Sequence, residues 1–183
     1  MNVESFVDSK IVHFIFRIVG AVMESRLRYR FSSPEKIIKG AEIESGQTVL
    51  EVGSGTGFYT VSAAEIIRDS GRLVSMDILP VAVKRVSDRI KSLGLKNIHV
   101  IQGNAMNTGF KDESMDTVLL FGVIPAPFLP LNRLLPEMHR IIKKGGILAV
   151  WPPIPLFLPN SILRSGLFIS AGKMSTVYNF KKC

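Results

Sequence analysis

The 183 residues predict one α/β domain on a mostly parallel, seven-stranded sheet that closes in an antiparallel hairpin. Three observations carry that expectation. The length suits a single domain and 46% of the residues are hydrophobic, enough for a substantial core. From Thr48 onward, short β-branched runs alternate with helix-period segments, the pattern of βαβ units. After Pro152, Pro153 and Pro155 that pattern stops, and two runs at 167–173 and 176–181 stand close enough for a tight antiparallel connection.

Each element has its own signal. Before the first strand the chain reads as helical, with Ser32 and Glu35 spaced as a capping box beside Pro34. Strands are expected at 48–53, 72–77, 98–102, 116–121 and 146–151. The first runs into a glycine-rich turn and then a helix. In the helix predicted from Pro80 to Leu93, Pro80 suits a first helical position, Val83, Val86, Ile90 and Leu93 recur at helical spacing, and Gly94 ends the run. The helix predicted from Leu131 to Lys144 buries Leu131, Leu134, Leu135, Met138 and Ile142. There Arg140, Lys143 and Lys144 suit the negative end of the dipole, and Gly145-Gly146 stops the helix. A short helix near Ser161–Ser165 precedes the hairpin.

Charge and cysteine content narrow the setting. The net charge is +8, distributed as +3 over residues 1–40, +1 over 41–150 and +4 over 151–183. Neither basic end interleaves a dense Lys/Arg run with aromatics, so a nucleic-acid partner is not expected. The only cysteine, Cys183, rules out an internal disulfide or a Cys-based metal site and suits a reducing, cytoplasmic setting. The apolar run Ile11–Met23 has 13 residues and contains His13 and Arg17, short of the roughly 20 that cross a bilayer. Basic residues follow it instead of preceding it, unlike a secretory signal.

The chemistry concentrates at Thr48–Thr60, TVLEVGSGTGFYT, an apolar strand entering a glycine turn. Glycine there permits positive φ and lets a ligand lie against bare backbone. The spacing Gly53-x-Gly55-x-Gly57 departs from the dinucleotide fingerprint, whose third glycine follows the second by three residues, so a nicotinamide-dependent oxidoreductase is the weaker reading. Asp77 ends RLVSMD, 24 residues after Gly53, and its carboxylate is an acceptor-only group. Gly103-Asn104-Ala105 follows the third strand, and DTVLLFG and IIKKGGILAV mark the fourth and fifth.

Together these motifs resemble class I S-adenosylmethionine-dependent methyltransferases, over about residues 33–183, and most of all the type 11 branch with quinone-biosynthesis methyltransferase-like members. The resemblance implies a Rossmann-like, doubly wound sheet with the ligand where strand order reverses. It also implies S-adenosyl-L-methionine as cofactor, with S-adenosyl-L-homocysteine as product. Under it Gly53, Gly55 and Gly57 bring backbone against the methionine part, and Glu51 holds the loop or the amino group. Asp77, with Ile78 beside it, takes the ribose; Asn104 and Ala105 frame the adenine; Phe121 and Gly122 offer carbonyls to the amine. Asn104 stands where the family commonly has aspartate, and its amide oxygen can still accept from an adenine amino group.

Methyl transfer from a sulfonium is mainly a problem of alignment, so a dedicated base is not required, and no catalytic residue stands out. His99 and His139 read as structural, while His13 is a remote candidate. The place after the fourth strand reads Phe121-Gly122-Val123-Ile124-Pro125, unlike the D/N/S-P-P-Y/F motif of enzymes that methylate exocyclic amino groups of nucleobases, which points to a small-molecule or lipid-like acceptor. Residues 1–32 are expected to form a separate helical extension. On a helical wheel Lys10, His13, Arg17 and Glu24 make one narrow polar stripe, so the rest must be buried: over the sheet, in a homodimer, as a lid, or as a peripheral membrane anchor aided by Arg26, Arg28 and Arg30. Only Pro152–Asn160 separates the fifth strand from the last helix, so the acceptor pocket is expected to be shallow or completed by another segment. The competing reading is a non-catalytic cofactor-binding or scaffold protein on the same fold.

Overall fold

Strands covered on both faces need apolar side chains at consecutive positions, and TVLEV, RLVSMD and MDTVLLF meet that demand. The computed structural model describes residues 33–124, 129–152 and 160–183. Its seven strands are β1 (Thr48–Val52), β2 (Arg72–Asp77), β3 (Ile98–Gln102), β4 (Met115–Phe121), β5 (Ile142–Trp151), β6 (Phe168–Met174) and β7 (Val177–Lys182). They form one sheet in the order β3-β2-β1-β4-β5-β7-β6. Neighbours from β3 to β5 are parallel, and β7 runs antiparallel to both β5 and β6. The chain winds outward from β1 to β3, then returns to lay β4 on the other side of β1. Strand order therefore reverses between β1 and β4, and the seven-stranded sheet with its terminal hairpin is as the sequence predicts.

Among the described residues five helices flank the sheet: α1 (Pro34–Lys39), α2 (Thr60–Ile67), α3 (Pro80–Ser92), α4 (Leu131–Ile141) and α5 (Asn160–Leu163). Alternation along the strands divides the core in two. Val49, Leu73, Leu119, Phe121 and Ala149 pack with Ile37 and Ile38 of α1 and Ala63, Ala64 and Ile67 of α2. Leu50, Val52, Val74, Met76, Val118, Leu120, Leu148 and Val150 pack on the opposite face with Leu134, Leu135, Met138 and Ile141 of α4 and Ile162 of α5. Among the described residues no helix is long and apolar enough to cross a membrane. The apolar helix expected at 11–23, with His13, lies outside the described residues.

Two local expectations are corrected. Ser33, not Ser32, stands at the N-cap of α1 and makes no capping bond to backbone; its hydroxyl turns to the Glu35 carboxylate, and Pro34 occupies the first turn. Ser32 itself is outside the described residues. The helix expected to reach Lys144 stops at Ile141, because Ile142 is already extended (φ −73°, ψ 135°) and pairs with Met115 of β4. Lys143 to Gly146 then form an irregularity at the start of β5, held where Lys143 Nζ meets Asp116 Oδ1 at 2.6 Å. Pro136 sits inside α4 on its exposed side, where the carbonyl left without an N–H partner can bond water.

The β3–β4 crossover, residues 103–114, contains no helix. Ala105, Met106 and Phe110 fill the space by packing into the α4 face of the core. A polar clamp from α4 fixes this loop. Thr108 donates to Glu137 Oε1 through its backbone N–H (2.7 Å) and its hydroxyl (2.6 Å). Arg140 donates to Glu137 from Nε (2.9 Å) and Nη2 (2.7 Å), and Nη1 reaches the Phe110 carbonyl at 2.7 Å and Asp112 at 2.6 Å.

The Arg140 guanidinium, aided by Thr108, holds the Glu137 carboxyl down from 4.5 to about 2. A depressed pKa stabilises the fold above the unfolded value, and that stability is lost as pH falls toward the folded value. Glu137→Gln should therefore cost about 2 kcal/mol at neutral pH by denaturant unfolding. The gap to wild type should narrow by about half between pH 5 and pH 3; a pH-independent gap would mean the clamp does not act through the ionised carboxylate.

Candidate functional site

The carboxyl ends of β1 and β2 meet beside the point of strand reversal, and two carboxyl groups are buried there. Glu51 of β1 and Ser75 of β2 are paired in register on the α2 face of the sheet. Glu51 is only 2% exposed. Its Oε2 accepts from the hydroxyl of Thr60, the first residue of α2, at 2.6 Å and from Ser75 at 3.3 Å. Burial raises its pKa from 4.5 to about 7, partly offset by the two hydroxyls and reinforced by the nearby Asp77 charge. Glu51 is thus a strut under the glycine turn that ties β1, β2 and α2 together.

Asp77, 7% exposed, ends β2 and reaches across to the turn. Its Oδ2 accepts from the Gly55 N–H at 2.8 Å and its Oδ1 from the Leu79 N–H at 2.9 Å. Burial raises this carboxyl above the ordinary range, against the pull of the Leu79 and Gly55 N–H groups. Each oxygen keeps a lone pair beyond those bonds.

The turn itself is fastened by backbone. The N–H groups of Gly53 and Ser54 both donate to the Met76 carbonyl, at 2.8 and 3.1 Å, and Gly57 donates to Ser54 at 2.8 Å. Glycine is needed at two positions for different reasons. Gly53 has φ +70°, and a Cβ there would lie 2.9 Å from Val123 Cγ2. Gly55 has φ +56°, and the nearest atom to its would-be Cβ is the Gly53 carbonyl oxygen at 3.9 Å, so its bare backbone faces open space. Following them, the Ser54 and Thr56 hydroxyls are buried with no hydrogen-bond partner among the described residues. Buried donors of this kind cost stability unless something pairs with them, which suits a ligand-binding turn better than a purely structural one.

The remaining expected residues divide. Gly122, just beyond β4, is exposed with φ +72° and donates its N–H to the Trp151 carbonyl at 2.8 Å, while Phe121 is buried. Ile78 follows Asp77 half-buried, and its carbonyl accepts from Gln102 Nε2 at 3.1 Å. Ala105 is buried in the core. Asn104 is committed to its own turn: Oδ1 accepts from the Met106 N–H at 2.9 Å, and its carbonyl accepts from Asn107 at 3.0 Å. His99 is exposed toward the amino end of β3, and His139 packs edge-on against Phe168 with ring centroids 5.7 Å apart.

Several members of the site were not foreseen. Thr60 and Ser75 were findable, since Ser75 precedes Asp77 by two on the same strand face and Thr60 opens the helix after the turn. An aromatic group comprising Tyr59, Phe121 and Trp151 was not, because its members lie 30 or more residues apart. Tyr59 meets Phe121 edge-on at 5.2 Å and Trp151 at 5.9 Å.

Comparisons with known proteins bear on this geometry. Residues 43–154 match the sequence model of a family described as a methyltransferase domain. Demethylmenaquinone methyltransferase of Geobacillus stearothermophilus is 31% identical over 142 residues, covering 74% of this chain and 60% of that protein. The chain thus spans less than two thirds of that relative's length. Among solved structures, a SAM-dependent methyltransferase from Aquifex aeolicus superposes with a TM-score of 0.76 at 21% identity, covering 91% of this chain and 97% of that one. The [4+2]-cyclase SpnF superposes with a TM-score of 0.64 at 20% identity over 76% and 57% of the two chains. At such identities these two similarities establish the fold alone.

The Glu51 strut has a measurable consequence. With its folded pKa raised, the native state keeps a proton that the unfolded chain has released, so the stabilisation present below pH 4.5 is lost as pH rises through about 7. In denaturant unfolding across that window, wild type should lose stability relative to Glu51→Gln and level off above it. Parallel curves for the two proteins would refute this account of the buried carboxyl.

Proposed function

Since this chain belongs to the methyltransferase-domain family, we propose that it transfers the methyl group of S-adenosylmethionine to a small, quinone-type acceptor. The observation that carries the cofactor assignment is the glycine turn, with open backbone at Gly55, two buried hydroxyls unpaired among the described residues, and the Asp77 carboxylate fastened beside it. When bound, S-adenosylmethionine supplies a methyl group already activated by the sulfonium charge. The protein's share is binding and alignment, which can supply on the order of 7 to 11 kcal/mol.

Each residue then has a task. Gly53, Gly55 and Gly57 present backbone to the methionine part, and Glu51 supports the turn through Thr60 and Ser75. Asp77 offers the ribose hydroxyls the lone pairs that the Gly55 and Leu79 N–H groups leave, with Ile78 beside it. Asn104 and Ala105 border the adenine. Because Oδ1 of Asn104 already serves the Met106 N–H, that border acts mainly through the shape of the turn. The Phe121 and Gly122 carbonyls face the amine. With the cofactor held by these residues, the acceptor would be aligned with the methyl carbon and sulfur for direct displacement, and an acceptor that arrives protonated would give its proton to solvent.

The quinone-type acceptor is supported by the name of the Geobacillus relative. In this reading the transferase domain spans residues 33–183 of a cytoplasmic protein.

Calorimetric titration with S-adenosylmethionine and S-adenosylhomocysteine, with NADH as competitor, tests the cofactor assignment. Both adenosyl ligands should bind saturably and NADH should not displace them. Asp77→Ala should weaken binding by roughly 10- to 100-fold. Well-folded wild type that binds neither adenosyl ligand would sink the enzyme reading and leave a scaffold on the same fold.

A further inference from the structure

We propose that Trp151 is the acceptor wall of this site, the flat surface against which a planar conjugated ring stacks; the proposal rests on the cofactor placement above. Strand order makes the argument. The sheet runs β3-β2-β1-β4-β5, and the assigned cofactor contacts follow the same line: Asn104 after β3, Asp77 at the end of β2, the glycine turn after β1, and Gly122 after β4. A cofactor laid along that line would have adenine at the β3 side, ribose at β2 and the methionine amine at β4, with the methyl-bearing sulfur between ribose and amine, on the β1–β4 side of the row. The next strand is β5, and its last residue is Trp151.

Local geometry agrees. A Cβ built on Gly122 would come within 4.0 Å of Trp151 Cζ3, so the indole stands beside the last cofactor contact. The indole N–H donates to Thr176 Oγ1 at 3.0 Å, at the tight turn joining β6 and β7. With its one donor engaged, the side chain has only its ring left to offer. The ring is also held from behind: Tyr59 lies 5.9 Å away, tilted at 59°, and Tyr59 in turn meets Phe121. Tyr59 and Phe121 are buried and Trp151 is half-buried, so within this group the indole is the member turned outward. A rigid π-face with its polar atom engaged favours an aromatic or quinonoid ring over a flexible alkyl or a strongly polar acceptor.

The test uses the full chain as wild type, Trp151→Leu and Trp151→Phe, with naphthohydroquinone as the methyl acceptor. Trp151→Leu should raise KM for the acceptor by about tenfold. Its kcat should change far less, and its S-adenosylmethionine affinity should match wild type. Trp151→Phe, which keeps a ring face, should recover most of the loss. Trp151 is the only tryptophan, so naphthoquinone added to wild type saturated with S-adenosylhomocysteine should quench intrinsic fluorescence saturably, a readout that needs no variant to fold. An unchanged KM in Trp151→Leu, a parallel loss of cofactor affinity, or quenching that never saturates would overturn the proposal. Wild type that binds no S-adenosylmethionine would instead overturn the cofactor assignment, and calorimetry separates that result from the others.

Discussion

The carboxylate of Asp77 joins two loops that would otherwise be independent: the glycine turn leaving β1 and the entry to α3 leaving β2. Both loops lie at the carboxyl edge of the sheet, where parallel strands end without a ladder partner for the next residues. A charged acceptor can satisfy backbone N–H groups there more strongly than a neutral one. The cost is burial of the charge, felt as the raised pKa of Asp77 and of Glu51 one strand over. These opposing terms leave a rigid edge with two carboxyl groups gathered beneath a turn that exposes bare backbone, an arrangement suited to a cationic ligand with a diol.

The rest of the fold serves to hold that edge flat. Two apolar layers clamp the central strands, and where the β3–β4 crossover lacks a helix, Ala105, Met106 and Phe110 are pressed into the core while Glu137 and Arg140 fasten the backbone above them. Asn104 lies at the start of that crossover. A clamp on α4 therefore sets the position of a turn assigned to the adenine, which couples the α4 face of the sheet to the ligand edge through ordinary packing.

Fold by itself leaves the chemistry open. The architecture superposes on a methyltransferase and on a [4+2]-cyclase alike, as expected when function resides in sites grafted onto a common scaffold. Under the reading proposed above, the chemistry is decided at the β4 and β5 ends, where Gly122 and Trp151 stand side by side. An aromatic wall there selects by ring shape, and selection by shape requires no general base.

The sequence by itself determined the parallel core, the terminal hairpin and the glycine turn with Glu51 and Asp77, because these depend on local alternation, short spacing and backbone conformations that few residues adopt. It misplaced the capping residue of α1 and the end of α4. Serine at either position can cap, so the sequence alone did not choose Ser33 or show that its hydroxyl would turn to Glu35. Whether Ile142 continues a helix or joins β4 is decided by a partner 27 residues away. The helix-free crossover, the Glu137–Arg140 clamp and the Tyr59–Phe121–Trp151 group were decided only by tertiary structure. Each depends on side chains from separate elements meeting across the sheet, and a linear pattern encodes the period of an element but not the identity of what packs against it.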